Sequence, residues 1–468
     1  MGPYRLKIAQ ADLERLEAAV FADLPREAGA FALAGIAVHQ GGTDILVRRI
    51  VLIPKHLFRI QEAHRLEIAP EAINGLTALC EANGLGAVLI HSHPENIPYS
   101  PSDDFGEGRI FATLRASIPA GAPTASVLLY PGGVTGRVWL PGGSGPVPLS
   151  EIIVLGRHLK RIRIAQGQPR TSQADPIYDR QVRAFGTEGQ ALIAQSKVAI
   201  VGTGGTGSPA AEQLVRLGVL DLKLIDPQPS EDTNVTRMYG SFRRSWWGRR
   251  FSRAPFKVDL VARHLKKINP RLSVSRIRKN VVLGSAAREL MDRDIIFLCT
   301  DDHWGRSIVN QVAHQYLIPA INLGVRIASK DNQITAAVGV VDVLRPDLPC
   351  LWCTQFLRAE RIAAESMPKN SRKSLEREGY VEGLDTPAPS VVSVTTAVAA
   401  MAVNLFLQQV TDFMGAAGDI ARLNYDVMDG TVRRGRAMIP EKCICKKTRG
   451  FGDLKLMPTL KNLDHLEK

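Results

Sequence analysis

Residues 197–208 read KVAIVGTGGTGS, and no other stretch restricts the fold of this chain as tightly. An apolar strand pattern runs into Gly202-x-Gly204-Gly205-x-Gly207 and then into a helical pattern. Glycines at such places let the chain turn sharply. They also let backbone N–H groups and a helix N-terminus come close to a phosphate. The same order of strand, turn and helix returns around DLKLIDPQ, DIIFLCTDD and PAINLGV. That alternation predicts a doubly wound parallel sheet beginning near Tyr178. Asp226 ends the second strand, 19 residues after Gly207, where an acid can take ribose hydroxyls. The loop by itself does not separate NAD, FAD and ATP users.

At 468 residues the chain exceeds one ordinary core, so two or three domains are expected. Its 45% hydrophobic and 22% charged residues are those of a folded, soluble protein. Residues 1–148 alternate strands and helices. GAFALAGIAVHQGGTDILVRRIVLIP reads as two strands about a Gly-Gly turn, APEAINGLTALCEANG as a helix closed by Asn-Gly, and AVLIHSHP as a buried strand. The turn-rich PGGVTGRVWLPGGSGPVP reads as a domain end. Residues 149–177 read as a connector, helical and then polar, 178–450 as the second domain, and 451–468 as a polar tail. No apolar run reaches the roughly 18 residues of a membrane span. The N-terminus lacks an apolar signal core, so a cytoplasmic location is expected.

The net charge is +13 and uneven: residues 237–279 carry fourteen Arg and Lys, among them Arg244, Arg249 and Arg250. Such density suits nucleic acid, nucleotide phosphates or an acidic partner, or is a solvated helix face. No aromatic ladder is interleaved with it, which argues against single-strand binding.

His91 and His93 alternate at the end of the buried strand, and residues i and i+2 of a strand face one side. They can offer two imidazoles to one metal. The loop PENIPYSPS can fold Asp103 back as a third ligand. Two His and one carboxylate, with water in the fourth position, form a catalytic zinc arrangement, in which the ion lowers the water's pKa to about 7. The plain alternative is a pair of histidines in an ordinary loop. Six cysteines include two close pairs, Cys350/Cys353 and Cys443/Cys445, which suit one tetrahedral zinc better than disulfides, or are free thiols packed in turns. Cys80 and Cys299 stand alone in apolar stretches.

HSHP followed by SPSD resembles the motif of the JAMM/MPN+ (JAB-like) metallo-isopeptidases. The resemblance covers about residues 5–145 and implies a mixed α/β, cytidine-deaminase-like fold. It implies zinc ligands at His91, His93 and Asp103, an oxyanion-stabilising serine at Ser100, and a general base at Glu27 in LPREAGAFALAG. From Tyr178 to about 446 the chain resembles the ThiF/MoeB-type, ubiquitin-activating-enzyme-like adenylyltransferases. YDRQVRAFGTEGQALIAQ, the glycine loop, Asp226…Asn234-x-x-Arg237, FKVDLVARHLKKINP and CTDDHWGRSIVN carry that resemblance. It implies ATP with Mg as cofactor, Gly202, Gly204, Gly205 and Gly207 at its phosphates, and Asp226 at its ribose, with Asn234 in the same element. It also implies Arg237 and Lys257 as cations on the phosphates, Asp301 either at Mg²⁺ or positioning the reacting ends, Arg306 nearby, and Arg180 from a dimer partner or else in a surface ion pair. It implies a structural zinc on the four cysteines. Gln228 stands where the family often has a second acid, and the second cysteine pair is one residue tighter.

Full activating enzymes carry a cysteine between the two zinc pairs, and residues 354–442 contain none. Either the reaction stops at the adenylate, or a hydroxyl such as Ser366, Ser371, Ser374, Thr386 or Ser390 forms an oxyester. The combined expectation is a bifunctional enzyme of a bacterial ubiquitin-like pathway. One half would activate the modifier, the other would mature or remove it, with a conjugating-enzyme-like partner and no role for membrane or nucleic acid. The rivals are sulfur-carrier activation for cofactor synthesis and a nucleotide-binding scaffold with an inactive protease half.

Overall fold

The computed structural model describes residues 2–142, 145–164, 175–243, 253–367 and 389–456. Arg244, Arg249, Arg250, Ser371, Ser374 and Thr386 lie outside the described residues, as do residues 165–174 of the expected connector and 457–468 of the expected tail. The chain divides into two compact units. One comprises Met1–Pro169, Gln315–Leu317 and Thr448–Leu456; the other comprises Arg170–His314, Ile318–Lys447 and Met457–Lys468.

The first unit is built on nine strands: β1 (Tyr4–Ala9), β2 (Gly29–His39), β3 (Gly42–Leu52), β6 (Gly86–Ser92), β7 (Thr124–Tyr130), β8 (Gly133–Trp139), β9 (Pro146–Pro148), β10 (Glu151–Leu155) and β11 (Leu159–Arg163). A separate hairpin holds β4 (Phe58–Gln61) and β5 (Leu66–Ile68). The sheet runs β11-β10-β1-β3-β2-β6-β7-β8-β9 and is mixed. Helices α1 (Gln10–Val20), α2 (Pro70–Asn83) and α3 (Pro101–Leu114) cover it. Helix α2 ends as the Asn-Gly signal predicts, with Gly84 in the left-handed region at φ 63°.

Strand period decides which side chains meet. Ala30, Ala32 and Ala34 of β2, with Val88 and Ile90 of β6, join the apolar cluster of Leu16 and Val20 on α1. Phe31, Leu33, Ala87 and Leu89 join the opposite cluster, with Leu76 of α2 and Phe111 of α3. Continuing the odd series of β6 places His91 on the α3 side.

Three boundary expectations change. The stretch expected to be a helical connector contains β10 and β11. Strand β10 pairs in parallel with β1, Leu6 opposite Ile152, and in antiparallel fashion with β11. Its run EIIVL is a buried strand because Ile152 and Val154 alternate into the α1 cluster, a period hidden by continuous apolar letters. The turn-rich segment holds β8 and β9 rather than ending the domain. The tail does not begin at 451. Gly35 N donates to Gly450 O (3.1 Å), Asp453 N donates to Ile36 O (2.6 Å), and Phe451 packs beneath the Arg48 guanidinium.

The second unit has the order β14-β13-β12-β15-β16-β17-β18-β19, from β12 (Lys197–Val201), β13 (Asp221–Ile225), β14 (Ser273–Ile277), β15 (Ile295–Leu298), β16 (Ala320–Lys330), β17 (Gln333–Leu344), β18 (Arg422–Asp426) and β19 (Thr431–Gly435). The first five in that order are parallel, and the last three extend the sheet in antiparallel fashion. Its helices include α4 (Asp179–Gln195), α5 (Gly207–Leu217), α6 (Lys257–Ile268), α7 (His303–Gln315) and α8 (Val392–Thr411). No continuous apolar run reaches that length, but α8 as a whole is long and apolar enough to cross a membrane, with a mean hydropathy of 1.3. Most of that stretch is buried inside the unit, and α8 packs on α5, β16 and β17 as a core helix.

Candidate functional site

Chemistry-bearing side chains cluster in both units. In the first unit, β6 delivers His91 as its penultimate residue, opposite Gly29 of β2 and Leu128 of β7. His93 follows, its N–H bonded to Leu129 O (2.8 Å). Helix α3 delivers Asp103 in its first turn. Ser100 caps that helix: its Oγ accepts from Asp103 N (3.2 Å) and donates to Asp103 Oδ2 (2.7 Å), while Ser100 N also donates to Oδ2 (2.7 Å). Asp103 Oδ1 is thereby turned to His91 Nε2 (3.5 Å), and Oδ2 lies 3.8 Å from His93 Nε2. His93 Nδ1 is bonded to Ile97 O (2.9 Å), which leaves Nε2 as the free nitrogen.

His91, His93 and Asp103 offer ligand atoms all within 4.8 Å of one another. His91 Nε2 is a buried polar atom without a hydrogen-bond partner, which a metal ligand at this place would explain. Burial pushes His91 down to about 4, so its ring is neutral and able to ligate. Glu27 Oε1 lies 3.7 Å from His93 Nε2 at the rim of this cluster. Burial first, and then the charge of Asp103, push Glu27 up to about 7, a value suited to taking and returning a proton. These residues fit a two-His, one-carboxylate metal site. Ser100 Oγ stands 2.7 Å from both Asp103 Oδ2 and Ser102 Oγ, so as placed it caps α3 and braces Asp103.

In the second unit the site lies at the carboxyl ends of the parallel strands, where open α/β sheets take their ligands. Gly202 leaves β12 at φ +89°, and a Cβ there would meet Thr300 N at 2.7 Å. A Cβ on Gly207 would stand 1.9 Å from Gly202 O, so the loop closes only with glycine. Gly204 faces open space, and Gly205 lies against the aliphatic carbons of Arg237 at 3.4 and 3.5 Å. Arg237 Nη1 donates to Thr233 O (3.1 Å), and Asn234 Oδ1 accepts from Glu231 N (2.9 Å), which fixes the turn that presents Arg237.

Asp226 is buried and occupied. Oδ2 accepts from Thr203 N (2.8 Å) and Oγ1 (3.1 Å), and Oδ1 accepts from Gln228 N (2.9 Å), so this acid holds the glycine loop in place. Gln228 in turn receives Lys257 Nζ at 2.5 Å. The two acids after β15 divide the work. Asp302 takes the N–H of Gly305 and the hydroxyl of Thr300 as the cap of α7, while Asp301 is exposed in the loop beside Gly202. Arg306 is buried, its guanidinium over the Phe356 ring at 4.8 Å. Of the expected hydroxyls, Ser390 reaches the loop, its Oγ 3.6 Å from the Cβ position of Gly205.

Arg180 is not brought to this loop. It is exposed on the first turn of α4. Its neighbour Gln181 bonds to Arg216 O (3.1 Å), and Tyr178 packs on Gly218, both at the far end of α5. Eleven residues of helix separate that end from Gly207 by about 16 Å.

The four cysteine sulfurs converge despite the shorter second pair. Cys350–Cys353 and Cys350–Cys443 are 3.6 Å apart, Cys353–Cys443 3.3 Å, and Cys353–Cys445 3.7 Å. Thiolates about 2.3 Å from a tetrahedral zinc stand about 3.8 Å apart, so the cluster can hold one such ion. Cys80 and Cys299 are elsewhere, and burial pushes each thiol up to about 12.

Sequence reasoning missed two roles: Gln228 as the holder of Lys257, and Glu107 behind His91. Only Glu107 carried a signal, its four-residue spacing from Asp103 on a helix.

Residues 178–446 match the ThiF family. The adenylyltransferase and sulfurtransferase uba4 of Aspergillus clavatus is 32% identical over 147 residues, 31% of this chain and 28% of its own length. The SAMP-activating enzyme E1 of Haloferax volcanii is 26% identical over 168 residues, 36% of this chain and 56% of its own. Ubiquitin-like modifier-activating enzyme 5 of Aedes aegypti is 26% identical over 245 residues, 50% of this chain and 54% of its own. The chain thus spans between about a quarter and just over half of the length of these relatives.

Proposed function

Because the chain belongs to the ThiF family, we propose that its second unit activates the C-terminal carboxylate of a ubiquitin-like protein by adenylation with ATP. We further propose that its first unit is a zinc-dependent JAMM-type isopeptidase acting on the same modifier. The glycine loop at the strand ends, with Arg237 against Gly205 and Lys257 held by Gln228, supports the first reading. The ligand set of His91, His93 and Asp103 beside Glu27 supports the second.

In adenylation a carboxylate oxygen attacks the α-phosphorus of ATP, and the bond to pyrophosphate breaks. Negative charge shifts on the phosphates, so cations there lower the barrier. Backbone N–H groups of the loop and the start of α5 would receive the phosphates, Arg237 and Lys257 would supply positive charge, and Asp301 would hold the magnesium that accompanies ATP or position the reacting ends. Asp226 keeps the loop in register and would take the ribose hydroxyls. Arg180, about a helix length away in its own chain, serves a second copy in a homodimer. The test is exchange of labelled pyrophosphate into ATP, which should appear only with a ubiquitin-like protein ending in a free carboxylate. Hydride transfer with NAD and no exchange would reject the reading.

At the first-unit site a zinc ion, when bound, supplies Lewis-acid polarisation and an acidified water. His91, His93 and Asp103 would hold it, Glu27 would serve as the proton acceptor beside it, and Ser100 would keep Asp103 aimed.

The missing crossover cysteine bears on the step after activation. Of the crossover hydroxyls, Ser366 Oγ donates to Ala363 O (2.7 Å), whereas Ser390 Oγ stands beside the glycine loop. If the chain accepts the acyl group, a hydroxyl does so: the carbonyl–oxygen bond to AMP breaks, a carbonyl–Oγ bond forms, and the hydroxyl proton goes to solvent. Protein incubated with ATP and modifier should then show an adduct that resists thiol and is cleaved by hydroxylamine. A thiol-labile adduct would overturn this, since it requires Cys80, Cys299 or the cluster. The name of the Aspergillus relative, which includes sulfurtransferase, favours sulfur-carrier activation as the second reading. Exchange driven by a sulfur carrier, but not by a protein modifier, would select it.

A further inference from the structure

His91 is addressed at both ring nitrogens, and the expected metal accounts for only one. Nε2 faces Asp103. Nδ1 faces Glu107, one helical turn beyond Asp103 on α3, with Oε1 at 4.0 Å. Glu107 is buried, and its two oxygens differ sharply. Oε2 accepts from Ser126 Oγ (2.6 Å), Trp139 Nε1 (2.8 Å), and Arg137 Nη2 (2.8 Å) and Nε (3.0 Å). Oε1 is buried without a hydrogen-bond partner, and it is the oxygen on the His91 side. Burial pushes the Glu107 carboxyl up, and the Ser126 hydroxyl, the Arg137 charge and the Trp139 N–H work against that by favouring the charged form.

We propose that Glu107 is the positioning residue of the first-unit metal site: its unpartnered Oε1 attracts the Nδ1 proton of His91 and so fixes the ring with the Nε2 lone pair toward the ion. The inference rests on reading His91, His93 and Asp103 as metal ligands. His93 shows the same logic with a different acceptor, since Ile97 O takes its Nδ1 and leaves Nε2 facing Asp103. Both histidines are therefore addressed from behind by an oxygen, one a carbonyl and one a carboxylate. A ligating histidine needs this, because the nitrogen that carries the proton cannot bind the metal. At 4.0 Å the Glu107 contact is electrostatic, and it acts in a buried pocket where charge is poorly screened. The carboxylate also makes the ring a stronger donor, which a neutral amide does not.

Glu107 has a structural task as well, since Oε2 ties α3 to β7 and β8. The experiment must separate the two. Metal-stripped full-length protein would be titrated with zinc against a chromophoric chelator, and with cobalt(II), whose thiolate charge-transfer band reports the four-cysteine site separately. Glu107→Gln should still take up two ions at saturation, with affinity at the histidine site lowered about 10–100-fold, the range for losing such a partner, and with the thiolate band unchanged. Glu107→Asp keeps the charge facing Arg137 but withdraws it from His91 by one methylene, and should show the same fall if the Gln variant does not fold. Trp139→Phe removes one donor from Oε2 and leaves Oε1 alone, so its zinc affinity should stay within about twofold of the unmodified protein. Unchanged affinity in the folded Glu107 variants would overturn the inference, as would an equal fall in Trp139→Phe. His91→Ala with His93→Ala should lose one of the two ions. If that pair loses none, the ligand reading itself fails and takes this inference with it.

Discussion

Glu27→Gln should lower zinc-dependent cleavage of a modifier fusion by at least about 10²-fold while leaving metal content unchanged. The low end of that figure is what a positioned general base contributes. The substitution is nearly isosteric at a buried position, so packing around it is kept. Only the proton acceptor is lost. Glu27 Oε1 sits 3.7 Å from His93 Nε2 and outside the three-ligand set, as a base for a metal-activated water should. Metal content by emission spectroscopy and cleavage by gel shift give the two readouts. Loss of one zinc per chain would make Glu27 a ligand instead. A rate within a few-fold of the unmodified enzyme would move the base elsewhere, and adenylation should be untouched in either case.

Asp301→Ala should abolish pyrophosphate exchange, by about 10³-fold or more, and leave cleavage at the first unit intact. Stabilising the shifting phosphate charge through a held cation contributes several kcal/mol, and each 1.36 kcal/mol is about a factor of ten. The neighbour makes the control. Asp302 caps α7 through Gly305 N and Thr300, so Asp302→Ala should cost about 0.5–2 kcal/mol of stability, read as a lowered unfolding midpoint. Exchange that survives in Asp301→Ala but fails in a folded Asp302→Ala would mean that the roles of the two acids are reversed.

These residues were legible to different depths in the sequence. Two glycines of the loop were legible, because a positive φ at Gly202 and a 1.9 Å approach at Gly207 admit no other residue, whereas Gly204 faces open space. The pairing of His91 with His93 was legible too, since strand period alone puts them on one side. The job of Ser100 was not. A serine three residues before an acid is both a motif element and a helix cap, and the cap shows only once Ser100 Oγ is placed against Asp103. Asp226 poses the same problem: an acid at a strand end suits ribose, yet here its oxygens hold Thr203 and Gln228.

Local features could be read from the chain alone: the parallel-sheet rhythm, the two loop positions that must be glycine, the facing histidines and the two cysteine pairs. Each is set by backbone geometry or close spacing within short stretches. Other features waited on partners far apart in the chain. EIIVL became a strand rather than a connector helix because β1, some 145 residues earlier, offers it an edge. Asp453 left the expected tail, and Gly450 the expected second domain, because the backbone of Ile36 and Gly35 takes them as partners. Glu107 gained its place behind His91 because donors from β7 and β8 saturate one of its oxygens and leave the other for the histidine. A buried polar group is placed by the donors that reach it, and those donors are chosen by the fold, not by neighbours in sequence.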